Sequence, residues 1–182
     1  MTQENQRTVT ERVGIRWPSV ARRTVRSLIG LPPGSRVRRA MLERLARTAF
    51  QEWNRGDCRV IPEIFDAPEV ETHIVGAPID ADPVYYGPEG HFRAMEVWNE
   101  AWREWDGEIE EVIEEGRDQV LMVARIWGEG AASGIRLDAW GTVRYTFRDG
   151  LIVRVDAAFG ADRDRSLKAL GALEAAGLRS GR

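Results

Sequence analysis

The segment IRLDAWGTVRYTFRDGLIVRVDAAF, residues 135–159, decides the fold of this chain. Apolar and polar residues alternate through 135–147 and again through 151–159, which is the two-residue period of half-buried strands. Arg148-Asp149-Gly150 lies between them, and Asp-Gly is typical of a tight hairpin turn. The segment therefore predicts an antiparallel hairpin that turns one face toward the core.

Further strands and helices flank this hairpin. Residues 108–115 and 119–127 are predicted as two more strands of the same meander, and residues 70–75 as a separate strand. Predicted helices cover residues 19–29, 36–55, 58–65, 88–105 and 163–176. This order gives an α+β plan, in which a long curved antiparallel sheet carries helices on its concave face and encloses a conical cavity.

The composition narrows the class of protein. The 182 residues are 43% hydrophobic and carry a formal net charge of −3, which fits one main folded domain. No apolar run approaches the roughly 20 residues that span a bilayer, and no apolar signal segment follows the basic N-terminus. A single cysteine, Cys58, excludes an intramolecular disulfide framework and fits a reducing compartment. We therefore expect a cytoplasmic protein.

Basic charge is concentrated near the N-terminus. Of the 26 basic residues 25 are arginines, which indicates a GC-rich bacterial genome more than a function. Residues 1–34 hold six arginines against Glu4 and Glu11, and we predict that they form a basic arm with a short helix ahead of a domain at 35–182. Such an arm could contact nucleic acid or anionic lipid. Packing on the acidic body or on a partner subunit is the simpler expectation, so we predict no nucleic-acid partner.

Three stretches resemble one known family. Ala49-Phe-Gln-Glu-Trp-Asn-Arg-Gly-Asp57 resembles the end of the first helix in nuclear transport factor 2-like proteins. Tyr86-Gly-Pro-Glu-Gly90 resembles the entry into their third helix, and Tyr145–Arg154 their last hairpin. The most similar subgroup is the SnoaL-like set of polyketide cyclases and ketosteroid isomerase-like proteins, and the resemblance covers residues 36–178. It implies a cone-shaped, cystatin-like α+β barrel.

The resemblance also tests for isomerase chemistry. Ketosteroid isomerases use a tyrosine on the first helix, an aspartate base on the first strand and a second acid on the long strand. The matching positions hold Ala49, Thr72 (His73 with a one-residue shift) and Val143. We therefore expect no ketosteroid isomerase activity, while other isomerase, cyclase or hydratase reactions stay open.

The register of strand 119–127 bears on one arginine. Both faces of this strand are mostly apolar, which suggests burial on both sides. In the family register the face with Val123, Arg125 and Trp127 points into the cavity, where a guanidinium needs an anionic partner. We expect Arg125 to stabilise negative charge on a ligand. The alternative is a structural ion pair, and the candidate acids are Glu71, Asp138 or one on a helix.

The chain has two histidines, His73 and His91. His73 shares one strand face with Glu71 at i, i+2, so we expect it to shuttle a proton if both side chains point inward. The alternative is a half-exposed strand histidine. His91 falls in the first turn of the third helix, and we predict it at the surface. Two histidines and one cysteine without ligand spacing predict no metal site.

Apolar and aromatic residues complete the predicted pocket. The odd-numbered residues of strand 135–147 should face the helices, and Trp53 and Tyr86 stand at element ends where they could stack on a planar ring. The predicted ligand-binding set is Trp53, Thr72, Tyr86, Trp98, Trp102, Val123, Trp127, Val143 and Tyr145.

The position of Trp140 in the predicted sheet suggests how two copies of the chain could associate. Alternation places Trp140 on the outer face of the sheet, with Val120, Met122 and Ile126 nearby. An apolar outer face suggests a sheet-to-sheet contact, and the family often forms such dimers. We therefore predict a homodimer through the outer sheet face.

Two functions remain open at this point. The first is a SnoaL-like domain that binds a small apolar, or anionic, molecule and acts as a cofactor-independent isomerase, cyclase or hydratase, with Arg125 and His73 as catalytic residues. The second is a non-catalytic module that binds a ligand or a protein. No Walker loop or dinucleotide glycine pattern is present, so we expect no cofactor.

Overall fold

The computed structural model describes residues 16–56 and 58–180. Its helices are α1 (Pro18–Ile29), α2 (Arg36–Asn54), α3 (Val60–Phe65), α4 (Gly87–Ala101) and α5 (Arg163–Ser180). Its strands are β1 (Asp66–Val75), β2 (Val84–Tyr86), β3 (Trp102–Glu115), β4 (Gln119–Gly130), β5 (Arg136–Arg148) and β6 (Leu151–Gly160). In this part of the chain, no helix is both long and apolar enough to cross a membrane.

The strands form one mixed sheet in the order β2-β1-β6-β5-β4-β3. β1 and β6 are parallel, and the other neighbours are antiparallel. Asp149 and Gly150 have φ angles of 55° and 82°, as a two-residue hairpin turn between β5 and β6 requires. The α+β fold class and the decisive hairpin are therefore confirmed.

The two faces of the sheet carry different helices. The inner face, which includes Val143 and Val155, packs against α2 and α4. The outer face, which includes Val123 and Ala158, packs against α5, whose Leu170 is buried there. Because α5 lies on the outer face, the helices are not confined to one side of the sheet.

Helix α1 is packed on the body of the fold. Val25, Leu28 and Ile29 are buried in one cluster with Leu42 of α2 and Val120 of β4. The first 15 residues of the predicted arm lie outside the described residues. The domain boundary between residues 34 and 35 stays a prediction.

Two local predictions are wrong. Helix α4 ends at Ala101 rather than at residue 105, because Trp102 begins β3 and pairs with Gly130 of β4. In β6 the register shifts where Phe147 pairs with Ile152. Alternation through 151–159 predicts Leu151 and Val153 on the buried face, but because of this shift Ile152 is the buried residue near the turn.

Candidate functional site

A buried histidine–aspartate pair joins α4 to the start of β1. His91 Nδ1 lies 2.7 Å from Asp66 Oδ2, and the two side chains are 4% and 0% exposed. Burial raises the pKa of the Asp66 carboxyl above its ordinary value, and the His91 hydrogen bond only partly opposes this effect. The structure gives His91 Nε2 no hydrogen-bond partner among the described residues. One ring nitrogen is thus fixed by a carboxyl while the other is available.

His91 lines a largely apolar cavity on the inner face. This cavity, called the His91 cavity, has a volume of about 50 Å³. It lies between α2 and α4 on one side and the sheet on the other. Its walls are Trp53, Thr72, Ile74, Ala77, Ile79, His91, Ala94, Met95, Trp98, Val143, Tyr145, Val155, Ala157 and Phe159.

Several polar atoms at this cavity lack protein partners. The indole nitrogens of Trp53 and Trp98 and the hydroxyl of Thr72 are buried with no hydrogen bond to the described residues. Behind His91, Asp66 Oδ1 is also buried with no hydrogen bond to the described residues. A buried polar group without a partner costs about 1–3 kcal/mol. Three donors around one cavity therefore favour an occupant that carries an acceptor oxygen.

Tyr145 stands beside the histidine–aspartate pair. Burial raises the pKa of its phenol, and the nearby Asp66 carboxyl raises it further. The phenol therefore stays protonated over the physiological pH range, and it can donate a hydrogen bond as well as accept one.

Five residues of the predicted ligand-binding set line the His91 cavity: Trp53, Thr72, Trp98, Val143 and Tyr145. Trp102 is buried next to them, with its ring 5.6 Å from that of Trp98. Tyr86 is 71% exposed at the end of β2 and is not part of the cavity wall. That these residues bind a ligand stays a prediction.

The predicted register of β4 is wrong. Met122, Ala124 and Ile126 face the inner core, whereas Val123 is buried on the outer face in the cluster that includes Leu170 of α5. Both faces are apolar because both are covered by helices, so apolarity could not decide between them. Val123, Arg125 and Trp127 therefore lie outside the His91 cavity.

Arg125 occupies the exposed part of that outer face. Its Nε and Nη2 atoms donate to the two carboxylate oxygens of Asp138 at 3.1 and 3.0 Å, and its side chain is 50% exposed. The guanidinium holds the pKa of Asp138 below its usual range. Arg125 therefore forms the structural ion pair with Asp138 that was the alternative interpretation. It does not lie in the cavity, where it was expected to stabilise negative charge on a ligand.

His73 also points away from the cavity. Its neighbour in β1, Thr72, faces inward, so His73 and Glu71 lie on the outer face. The predicted pairing is present, with 3.0 Å between His73 Nε2 and Glu71 Oε2. Because both point outward, His73 cannot reach a molecule in the His91 cavity.

The prediction that His91 lies at the surface is wrong. A sequence signal for its burial exists, because His91 precedes Ala94, Met95 and Trp98 at the i, i+3, i+4, i+7 spacing of an apolar helix face. Its partner Asp66 gives no comparable signal, since it lies 25 residues away. Only the fold brings the two together.

Within residues 16–56 and 58–180, no three His, Cys, Asp or Glu side chains are grouped so that they could hold a metal ion.

This α+β fold is the one found in nuclear transport factor 2-like proteins of known structure. The sequence model of the SnoaL-like domain matches residues 46–155, more than half of the chain. The chain therefore belongs to the SnoaL-like domain family. No curated protein matches it significantly.

Solved structures share the fold at low sequence identity. A protein of Jannaschia sp. CCS1, assigned as a SnoaL-like polyketide cyclase, is 20% identical over 71% of this chain and 90% of its own, with a TM-score of 0.55. An NTF2-like protein of unknown function from Burkholderia pseudomallei K96243 is 14% identical over 70% and 95%, with a TM-score of 0.56. TerC, co-crystallised with polyporic acid, is 17% identical over 68% and 92%, with a TM-score of 0.52.

Proposed function

We propose that the protein binds a small, largely apolar carbonyl compound in the His91 cavity and moves a proton on it. The observation that carries the proposal is the buried His91–Asp66 pair, whose His91 lies in the wall of a largely apolar cavity. A carboxyl that orients a histidine while leaving its second nitrogen available is the arrangement of a general base. The reaction class is an isomerisation, cyclisation or hydration.

The proposed roles follow from the atoms available. His91 Nε2 takes a proton from the carbon next to the carbonyl, and the electrons of the broken C–H bond form an enolate. The indole N–H groups of Trp53 and Trp98 donate to the oxygen on which negative charge develops. Returning the proton to a different carbon completes an isomerisation. Asp66 fixes the orientation of the His91 ring through the hydrogen bond at Nδ1.

The names of the fold neighbours agree with this reaction class. One neighbour is assigned as a polyketide cyclase and another was crystallised with polyporic acid. At 20% and 17% identity they support the fold, and the proposal rests on the His91–Asp66 pair.

Deuterium exchange tests the proposal without the natural substrate. Butanone in D₂O is incubated with the protein, and incorporation of deuterium next to the carbonyl is followed by NMR. We expect His91→Gln to lower the rate about 10²-fold or more, because a positioned base contributes about 10²–10⁴.

His73→Gln is the matched control, since it removes the other histidine, on the outer face. Its exchange rate should equal that of the wild type. Equal rates in all three proteins would contradict the role of His91.

The same experiment addresses the second candidate, a non-catalytic ligand-binding module. The specific observation in its favour is that neither Arg125 nor His73 lines the cavity. The family resemblance adds to it, since it implies that Thr72 and Val143 occupy the positions where ketosteroid isomerases hold acids. Butanone that binds and shows no enzymatic exchange would support this candidate and oppose the first.

We also propose a homodimer through the part of the outer face that surrounds Arg125. The apolar patch predicted there is smaller than expected, because Met122 and Ile126 face inward. Trp127 is 41% exposed, and the Arg125–Asp138 pair beside it can be matched by the same pair of a second copy. Light scattering tests this, and Trp127→Asp should shift the mass from dimer to monomer. A wild-type protein that is monomeric at all concentrations would contradict it.

We also propose that the protein is located in the cytoplasm. This location is supported by the single cysteine, Cys58, which is a free thiol.

A further inference from the structure

A second apolar cavity lies on the inner face beyond Tyr145. It is called the tail cavity and has a volume of about 100 Å³. Helices α1, α2 and α3 cover it against β4, β5 and β6. Its walls are Val25, Leu42, Leu45, Ala46, Ala49, Ile61, Phe65, Val120, Met122, Tyr145, Phe147 and Ile152.

The chemistry of the tail cavity is hydrocarbon. Eleven of its wall residues are aliphatic, Met or Phe, and only Tyr145 brings a polar group. An engineered apolar cavity of about 150 Å³ in another protein stays dry and binds benzene or xenon. The tail cavity therefore suits a short alkyl or cyclic hydrocarbon group rather than a charged or hydrogen-bonding one.

The two cavities are neighbours along one strand. Val143, Tyr145 and Phe147 of β5 share the inner face: Val143 lines the His91 cavity, Phe147 lines the tail cavity, and Tyr145 lines both. Alternate residues on a strand are roughly 7 Å apart. A molecule of two short segments therefore has the length to reach from His91 past Tyr145.

Part of the tail cavity lies outside the segment that matches the family. The match covers residues 46–155, whereas Val25, Leu42 and Leu45 precede it and form one wall. That wall depends on α1, whose Val25 is buried. One wall of the tail cavity is thus formed by α1 and the first part of α2, ahead of the matched segment.

We propose that the tail cavity binds the hydrocarbon end of the same molecule whose carbonyl end lies at His91. The substrate is then an elongated amphipathic carbonyl compound. This inference rests on the proposed function for the carbonyl end, while the hydrocarbon end rests on the tail cavity itself.

A series of methyl ketones tests the inference. Affinities of butanone and its longer unbranched homologues are measured by titration calorimetry. In the wild type each added methylene should raise the affinity about fourfold until the tail cavity is filled, because each buried methylene contributes a fixed increment of free energy. Ala49→Leu places a larger side chain in the wall, so the increase should stop at a shorter chain.

Ala40→Leu is the matched control, because Ala40 is exposed on the same helix. It should show the wild-type dependence on chain length. Affinities that do not rise with chain length in the wild type, or that rise equally in Ala49→Leu, overturn the inference.

Xenon-pressurised crystals of the wild type provide a measurement that needs no variant. We expect xenon between Ala49 and Tyr145, and its absence there overturns the inference even if Ala49→Leu fails to fold. Failure of the proposed function has a different signature: the rise with chain length persists, and deuterium exchange is unaffected by His91→Gln.

Discussion

At the scale of single residues, Asp66 couples the candidate site to pH. Its pKa is raised from the ordinary 3.8 mainly by burial, so the folded protein holds this proton more tightly than the unfolded chain does. The stability that Asp66 contributes is therefore fully present below pH 3.8 and is lost as the pH rises through the raised pKa.

Asp66→Asn removes this pH dependence. We expect the variant to gain stability relative to the wild type as the pH rises from 4 to 8, because an amide has no proton to lose. Urea unfolding of both proteins at several pH values measures the difference. A difference that stays constant, or that moves in the wild type's favour at high pH, would contradict the raised pKa.

Cys58 should be an unreactive thiol. It is 5% exposed, Asn99 Nδ2 lies 2.9 Å from its sulfur, and burial raises its pKa from 9.0 to about 11. Because the thiolate is the reactive species, alkylation at pH 8 should be about a hundredfold slower in the native protein than in urea. Iodoacetamide labelling followed by mass spectrometry measures the two rates, and similar rates would show that the thiol is accessible and ionised.

At the scale of elements, Arg38 ties the loop before α2 to the end of β3. The Arg38 side chain is completely buried. Its Nη1 donates to the carbonyl oxygens of Ile29 and Leu31 at 3.1 and 2.8 Å. Its Nε lies 3.1 Å from Glu114 Oε2, which makes a buried ion pair. Removing one partner of a buried ion pair leaves the other charge unpaired, at a cost of about 3–5 kcal/mol.

We therefore expect Arg38→Met to lower the free energy of unfolding by about that amount, measured by urea titration. Adding Glu114→Gln should restore part of the loss, since it removes the unpaired charge and keeps an acceptor for Gly34 N–H. Arg26→Met is the control, because Arg26 and Asp149 are 67% and 76% exposed and such pairs contribute little. Equal losses in Arg38→Met and Arg26→Met would refute the argument.

Strands differ in how far the sequence predicts them. In β5 only one face is apolar, so alternation correctly placed Val143 and Tyr145 inward. In β4 both faces are apolar because α5 covers the outer one, so apolarity does not show that Arg125 lies on the outer face. The His91–Asp66 pair could not be predicted from local pattern, since it depends on the approach of α4 to the first residue of β1.

At the scale of the whole molecule, helix α1 decides whether the N-terminal segment is separable. Val25, Leu28 and Ile29 are buried, and Arg22 Nε donates to Ile64 O at 2.6 Å. Deleting residues 1–34 would expose Leu42 and Val120 and open the tail cavity. We expect this deletion to lower the urea midpoint and to increase binding of the dye ANS.

Deletion of residues 1–15 is the matched control, because it keeps α1. If both deletions have the wild-type midpoint, residues 1–34 are an added arm, as the sequence suggested, and the contacts of α1 contribute no measurable stability.

The aromatic cluster around the His91 cavity has a spectroscopic consequence. Trp98 stacks on Phe159 with ring centroids 4.7 Å apart, and its centroid is 5.9 Å from those of Trp53 and Trp105. Indoles at such separations exchange excitation energy and couple their transition dipoles, so they act as one chromophore. Since Trp53 and Trp98 also line the cavity, a molecule entering it changes the emission and near-ultraviolet dichroism of the whole group. The protein thereby carries its own optical reporter for ligand screening.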